Sequence, residues 1–343
     1  VDHAALIGPA IDTVLPRGKA GTSRRSELGE VIAMQQDDPG QVPPGRHGPT
    51  AEELANEVWE DESPAIDPAG DPNPRLRIEH DSLGEVAVPA DRLWGAQTQR
   101  SLEHFRIGAD RMPMPVVRAL ALVKRAAATA NADLGVLPPP KARAISLVCD
   151  EIIAGDLDEE FPLAVYQTGS GTHTNANVNE VIANRANEQA GSPRGANSPL
   201  HPSDDVNMSQ STNDTFVTAM HVAALEARAD ELVPQLQALR DALAAKARQW
   251  SDVAKVGRTH LMDATPIRLG QEFSGFAAQA EYSVLRAERA MVRLAENLPI
   301  GGTAVGTGIN THARFGRMVA ARLAKATKVK FREAGNHYEA QAT

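Results

Sequence analysis

A chain of 343 residues, 42% apolar and 23% charged, has the composition of a globular protein with room for two domains and a large core. Its net charge of −9 is concentrated at the front, where residues 1–76 hold 6 Lys and Arg against 14 Asp and Glu; the near-neutral remainder has no basic tract, which argues against a nucleic-acid partner. No apolar run approaches the roughly 18 residues of a spanning helix, the first thirty residues lack a secretory apolar block, and the single cysteine excludes an internal disulfide framework, so a soluble, cytoplasmic protein is expected.

In chain order, residues 1–36 yield no assignable element. Arg17, Lys19, Arg24 and Arg25 resemble part of a transit peptide, but Asp2 and Asp12 interrupt it. The stretch from Asp37 to Pro74 is rich in Pro, Gly and acid and short of apolar anchors, so residues 1–76 are expected to be an acidic, disordered extension, with a transient helix at most after Thr50. Order is expected from Arg77, with a turn at Asp81 to Gly84, a short extended piece and a polar helix after Pro89. Apolar periodicity then predicts helices over about 113–133, 140–154, 174–190, 213–249, 266–297 and 311–326. Cys149, in an apolar run, is expected to be buried.

Two of these helices exceed 30 residues. Leu232, Leu236, Leu239, Leu243, Ala247 and Trp250 form one stripe, and Phe273, Phe276, Ala280, Val284, Ala287, Met291, Leu294 and Leu298 form another. Such helices need neighbours alongside, which predicts a bundle, with Pro234 kinking the first helix rather than ending it. The fold class is therefore mainly α, a mixed N-terminal domain over 77–212 followed by a partial long-helix bundle over 213–343.

Three junctions are too polar to be simple turns. In "QTGSGTHTNANVNE", from Gln167, Gly169 and Gly171 bracket Ser170 and Thr172 ahead of a helix, a pattern that suits an anion or, more blandly, an N-cap from Thr172 or Thr174. In "HPSDDVNMSQSTNDTF", from His201, the residues Ser209, Ser211, Thr212, Asn213 and Asp214 supply more short hydrogen-bonding groups than one cap uses, which points to a ligand with several acceptor oxygens. His201, Asp204 and Asp205 could ligate a metal, but with no second cluster at ligand spacing a solvated turn is the better reading, and no metal or other cofactor is expected. The third is "VGRTHLMDATPIRLGQEFSG", from Val256, where Thr259 and His260 are expected on the approach to a helix, suited to acid/base work or to local capping. A Gly-rich loop at 298–315 has neither the strand nor the GK[ST] of a nucleotide site and reads as a tight connection between helices.

These motifs, in this order and spacing, resemble class II fumarate hydratases of the fumarase/aspartase superfamily. The resemblance runs from about Arg77 to Thr343 and includes "LWGAQTQRSLEHF" and "NHYEAQAT". It implies that Ser170, Gly171, Thr172, Ser211, Thr212, Asn213 and Thr259 bind the carboxylates of a small dicarboxylate and that His260 is the acid/base member, acting through a water. It further implies a homotetramer whose active sites draw islands from different subunits, without nucleic acid or membrane. Aspartate ammonia-lyases usually carry glutamine at the place of His260, which disfavours that alternative.

Two departures stand out. The family's second anion site, here His201, Pro202, Ser203 and Asp204, has Ser203 in place of its Asn and Ser198 in place of its Arg, so a weakened or absent second site is expected. The family's "GSSxMPGKxNP" loop, with its serine base and substrate-binding lysine, does not occur in these residues. On the resemblance the sequence is truncated inside the bundle, and weak or no activity is expected of it; an inactive homologue serving assembly is the alternative of another class.

Overall fold

The structure, a computed structural model, describes residues 76–227 and 231–342. The extension expected at 1–76 thus lies outside the described residues except for Leu76. The described part opens with an antiparallel hairpin, β1 (Leu76–Asp81) and β2 (Gly84–Pro89), turning where the sequence places a turn. Helices α1 (Ala96–His104), α2 (Met114–Asp133), α3 (Pro139–Ala154) and α4 (Thr172–Gln189) follow. The first begins several residues later than expected, after a turn in which Arg92 N donates to Pro89 O at 3.2 Å and whose Pro89 and Arg92 carbonyls accept from the Arg77 guanidinium at 2.7 and 2.8 Å.

Helices α2 and α3 start directly at prolines, whose missing N–H costs nothing in a first turn, and α3 stops at Gly155 with φ 91°. α2 packs against α3, α5 (Thr212–Ala227) and α8 (Phe315–Thr327), burying Val117, Leu120, Val123, Ile145, Val148, Val222 and Phe315 in one core. Cys149 is fully buried there, which pushes its thiol up to about 12. α4 crosses this core with a buried asparagine-rich face, on which Asn175 Oδ1 and Asn179 Oδ1 have no partner among the described residues while other amides are fully engaged. Asn184 donates to Leu93 O and accepts from Gly195 N, while Asn187 exchanges two hydrogen bonds with Leu200, so the amides fasten neighbouring loops to the helix.

Of the helix expected over 213–249, the described residues form α5 and α6 (Val233–Gln249), with 228–230 outside the described residues; Leu232, just before α6, is itself helical at φ −62° and ψ −52°, and Pro234 lies in the first turn of α6. Proline is tolerated in a first turn and clashes with the preceding turn elsewhere. The helix expected from Pro266 begins three residues later, as α7 (Leu269–Glu296), because residues 254–268 form a second antiparallel hairpin, β3 (Ala254–Thr259) and β4 (Met262–Arg268). Pro266 sits in β4, where a two-stranded ribbon leaves an edge that needs no donor. α6 and α7 pair along their apolar stripes, with Trp250 and Phe273 edge to face at 4.7 Å, but α6 has no buried residue and Leu239 and Phe276 remain half exposed. Only the C-terminal part of α7, at Met291 and Ala295, joins the main core. The chain closes with the loop 297–314, α8 and the short α9 (His337–Gln341). No helix among the described residues is long and apolar enough to cross a membrane.

Candidate functional site

The first polar island forms the entry to α4. Gly171 is its N-cap, left-handed at φ 77°, so the N-cap weighed for Thr172 or Thr174 does not form, and the first-turn amide of Thr174 is instead capped by Gln167 Oε1 at 3.1 Å. A methyl group on Gly171 would fall inside the ring of Phe216 on α5; glycine is thus required by conformation and by the close approach of the two elements. The hydroxyls left over are not idle: Thr174 donates to Gln167 Oε1, and Ser170 Oγ lies 2.8 Å from Thr172 Oγ1 on the exposed surface of the turn.

The second island leads into α5. Ser211 and Asp214 cap that helix reciprocally, with Ser211 Oγ accepting from Asn213 N and Asp214 Oδ1 accepting from Ser211 N at 2.9 Å. The other Asp214 oxygen accepts from Gly301 N at 3.0 Å and Thr303 N at 2.9 Å, which clamps the Gly-rich loop onto the island. Burial raises the Asp214 carboxyl above its usual range, against these hydrogen bonds. Asn213 is committed to the same loop, donating to Ala304 O at 2.7 Å. The loop is thus the tight connection its composition predicts.

Islands one and two meet. Asn175, one turn into α4 beyond Thr172, donates from Nδ2 to Thr212 Oγ1 at 3.1 Å and to Asn207 Oδ1 at 3.2 Å. Between the second island and the Gly-rich loop lies a groove of about 360 Å³, lined by Asn207, Ser209, Gln210, Ser211, Thr212 and Thr303 among others. Its walls offer neutral donors, as a carboxylate site requires. Beneath it stands Lys124, fully buried, donating to Asn207 Oδ1 and Gln210 Oε1. Lys124 lies outside the polar motifs, yet it carries a signal in the sequence: Val117, Leu120, Lys124, Ala127 and Asn131 share the 3-4-3-4 spacing of the buried stripe of α2.

His201 caps a π-helical turn, Pro202–Val206, with Nδ1 accepting from Ser203 N and Asp204 N at 3.3 and 3.1 Å. Asp205 points inward to Lys141 at 2.7 Å, away from His201 Nδ1 and Asp204, so these residues do not present a shared ligand set.

Thr259 and His260 are placed elsewhere. His260 and Leu261 form the two-residue turn of the second hairpin, with φ 50° and 62°, instead of leading into a helix. Two left-handed residues match the twist of such a hairpin better than an ordinary turn does. The hairpin's ion pairs, Lys255 to Glu272 at 2.7 Å and Arg258 to Asp263 at 3.4 Å, are local, and His260 is exposed at the tip. Leu269 to Met291 along α7 corresponds to roughly 33 Å at 1.5 Å per residue, so the tip stands far from the core that carries the other islands.

Comparison with known proteins agrees with the motif reading. A family profile described as lyase matches residues 84–343. Class II fumarate hydratase of Nitrosomonas europaea is 55% identical over 268 residues, 78% of this chain and 58% of that protein. The enzyme of the same name from Thermosynechococcus vestitus is 57% identical over 266 residues, 78% and 57% of the two chains. The crystal structure of a recombinant class II fumarase from Schistosoma mansoni superposes with a TM-score of 0.73 at 39% identity, covering 78% of this chain and 59% of that one. The chain thus spans somewhat under three fifths of the length of the relatives it matches.

Proposed function

Because the chain belongs to the lyase family, we propose that it takes part in the reversible hydration of fumarate to L-malate. The observation that carries the reading is a donor-lined groove formed by the second island and the Gly-rich loop, which Asp214 joins to Thr303, with the first island tied to its Thr212 wall through Asn175. Dehydration of malate removes a proton from the carbon beside a carboxylate and places a second negative charge on that carboxylate, which collapses to the double bond as the protonated hydroxyl of the neighbouring carbon leaves as water; hydration reverses this, with water supplying the hydroxyl to one carbon and a proton to the other. Uncharged donors fixed in advance, such as Ser170, Thr172, Ser211 and Thr212, stabilise that charge without reorganising.

Thr259 and His260 enter this reading from another copy of the chain. The half-exposed Leu239 and Phe276 along α6 and α7 support an assembly of several copies, four in the family's pattern, which would carry the hairpin of one protomer to the groove of another. His260 would then exchange the proton through a water. In this reading 77–212 is the N-terminal domain, 213–343 is part of a shared bundle, the protein is cytoplasmic, and the His201 turn is a second anion site weakened by Ser203.

Proton NMR of fumarate incubated with the purified chain, with and without ammonium, tests the proposal beside a His260→Ala control. Slow formation of malate is expected, reduced by a further factor of about 10² to 10⁴ in the control. Aspartate formed only with ammonium would replace hydration by ammonia addition, and fumarate left untouched by a folded sample would leave the inactive, assembling homologue.

A further inference from the structure

Lys124 is absent from the motif reading and from the chemistry assigned above, yet it is a fully buried ammonium whose hydrogen-bond acceptors are two side-chain amides. We propose that Lys124 is a positioning residue for the donor island, fixing the amides of Asn207 and Gln210 from beneath and, through Asn175, leaving the Thr212 proton free to face a bound dicarboxylate. Only the identity of that ligand rests on the fumarate reading.

An ammonium can donate and cannot accept, so it settles an orientation that an amide alone leaves open. Asn207 Oδ1 faces Lys124 Nζ at 2.8 Å and Gln210 Oε1 faces it at 3.1 Å. Their amide nitrogens are thereby turned to backbone carbonyls, Asn207 Nδ2 to Gln210 O and Gln210 Nε2 to Val206 O and Met208 O, which ties down the loop that presents Ser209 and Ser211. Asn207 Oδ1 also accepts from Asn175 Nδ2, and the same nitrogen donates to Thr212 Oγ1. A hydroxyl that accepts from Asn175 has its one proton left to give, and Thr212 lines the groove.

An isolated buried cation is costly, so its retention calls for a compensating role. The charged and titratable groups acting on it are Asp214 from α5 and Cys149 from α3; burial pulls Lys124 down to about 7 against the attraction of Asp214, and the Cys149 thiol is neutral at that pH. Below that value a positive charge lies behind the donors, which favours a dianion.

The test is calorimetric titration of the full chain with succinate, a non-reacting dicarboxylate, from pH 6 to 9, in the wild type and in Lys124→Met. Amide side-chain resonances of Asn175, Asn207 and Gln210 are followed over the same range. The wild type is expected to bind succinate at least 10-fold more tightly at pH 6 than at pH 9, with the three amides titrating together. Lys124→Met is expected to bind at least 10-fold more weakly at pH 6, with a flat profile and unmoved amides. A folded variant that binds with wild-type affinity and pH dependence overturns the proposal. If the wild type binds no succinate, the dicarboxylate reading fails by itself, and amides that do not titrate in the wild type overturn the positioning role. That wild-type titration also decides the matter should Lys124→Met not fold.

Discussion

The groove around α4 and α5 and the arm formed by α6, the second hairpin and α7 solve the same problem in opposite ways. Around α4 buried polar groups find partners inside the chain: Asn184 and Asn187 tie down loops, and Glu180 accepts from Gly95 N, Gln97 N and Thr98 at the start of α1. The arm buries almost nothing by comparison. Its two stripes meet each other and leave Leu239, Phe276, Tyr282 and Val292 substantially exposed. A region that completes itself can be broken only from within; a region that does not is sensitive to what packs on it.

The largest expected effect breaks the first region. Gly171→Ala places a methyl in the Phe216 ring and a side chain on a left-handed residue, and strain plus overpacking should cost about 2 to 4 kcal/mol in urea unfolding. Gly169→Ala is the control. It has the same sign of φ, 76°, but open space around it, so only the conformational part, about 1 kcal/mol, should appear. Equal losses at both positions would mean that the contact between α4 and α5 does not hold the islands together.

A smaller effect is expected from the arm, and in a different observable. Phe276→Ser removes a half-exposed ring that packs edge to face on Phe273 at 5.7 Å. If a partner copy covers that ring, its loss should weaken association by about 2 kcal/mol, seen by analytical ultracentrifugation as a shift to smaller species, with the circular dichroism of the protomer retained. An unchanged sedimentation profile would remove the argument that the exposed stripe is an interface.

The same contrast governs what could be read from sequence. Helices α2, α3 and α4 were legible to within about two residues, because prolines at 113 and 138, Gly155 and an uninterrupted 3.6-residue period mark them, whereas α8 begins four residues after the expected 311. Density of hydroxyls and amides disclosed the islands. Their meeting was not legible, since Asn175 and Thr212 are 37 residues apart and only the packing of α4 on α5 joins them. Lys124 could have been found from its place in the apolar stripe, had a lysine been admitted as a core residue. In the arm, the second hairpin was concealed by its own composition: its β4 strand is largely exposed, so no apolar alternation marks it, and its proline imitates a helix start.

The smallest prediction concerns the turn that hid the hairpin. Hairpins of two residues usually announce themselves by Asn-Gly or Asp-Gly, since both central positions take positive φ; here they are His260 and Leu261. Leu261 is 96% exposed, so its side chain contributes no packing that could offset a left-handed backbone. Leu261→Gly should therefore stabilise the hairpin, by about 0.5 to 1 kcal/mol, the cost of a left-handed L-residue less the extra chain entropy that glycine loses on folding. Hydrogen exchange of the amides paired across β3 and β4 would report it locally. Slower exchange there with unchanged succinate binding would mean that the turn carries local strain unconnected with the groove of its own chain. Faster exchange would mean that Leu261 is held by something packed on the tip, which places a partner at the one position where the proposed assembly needs one.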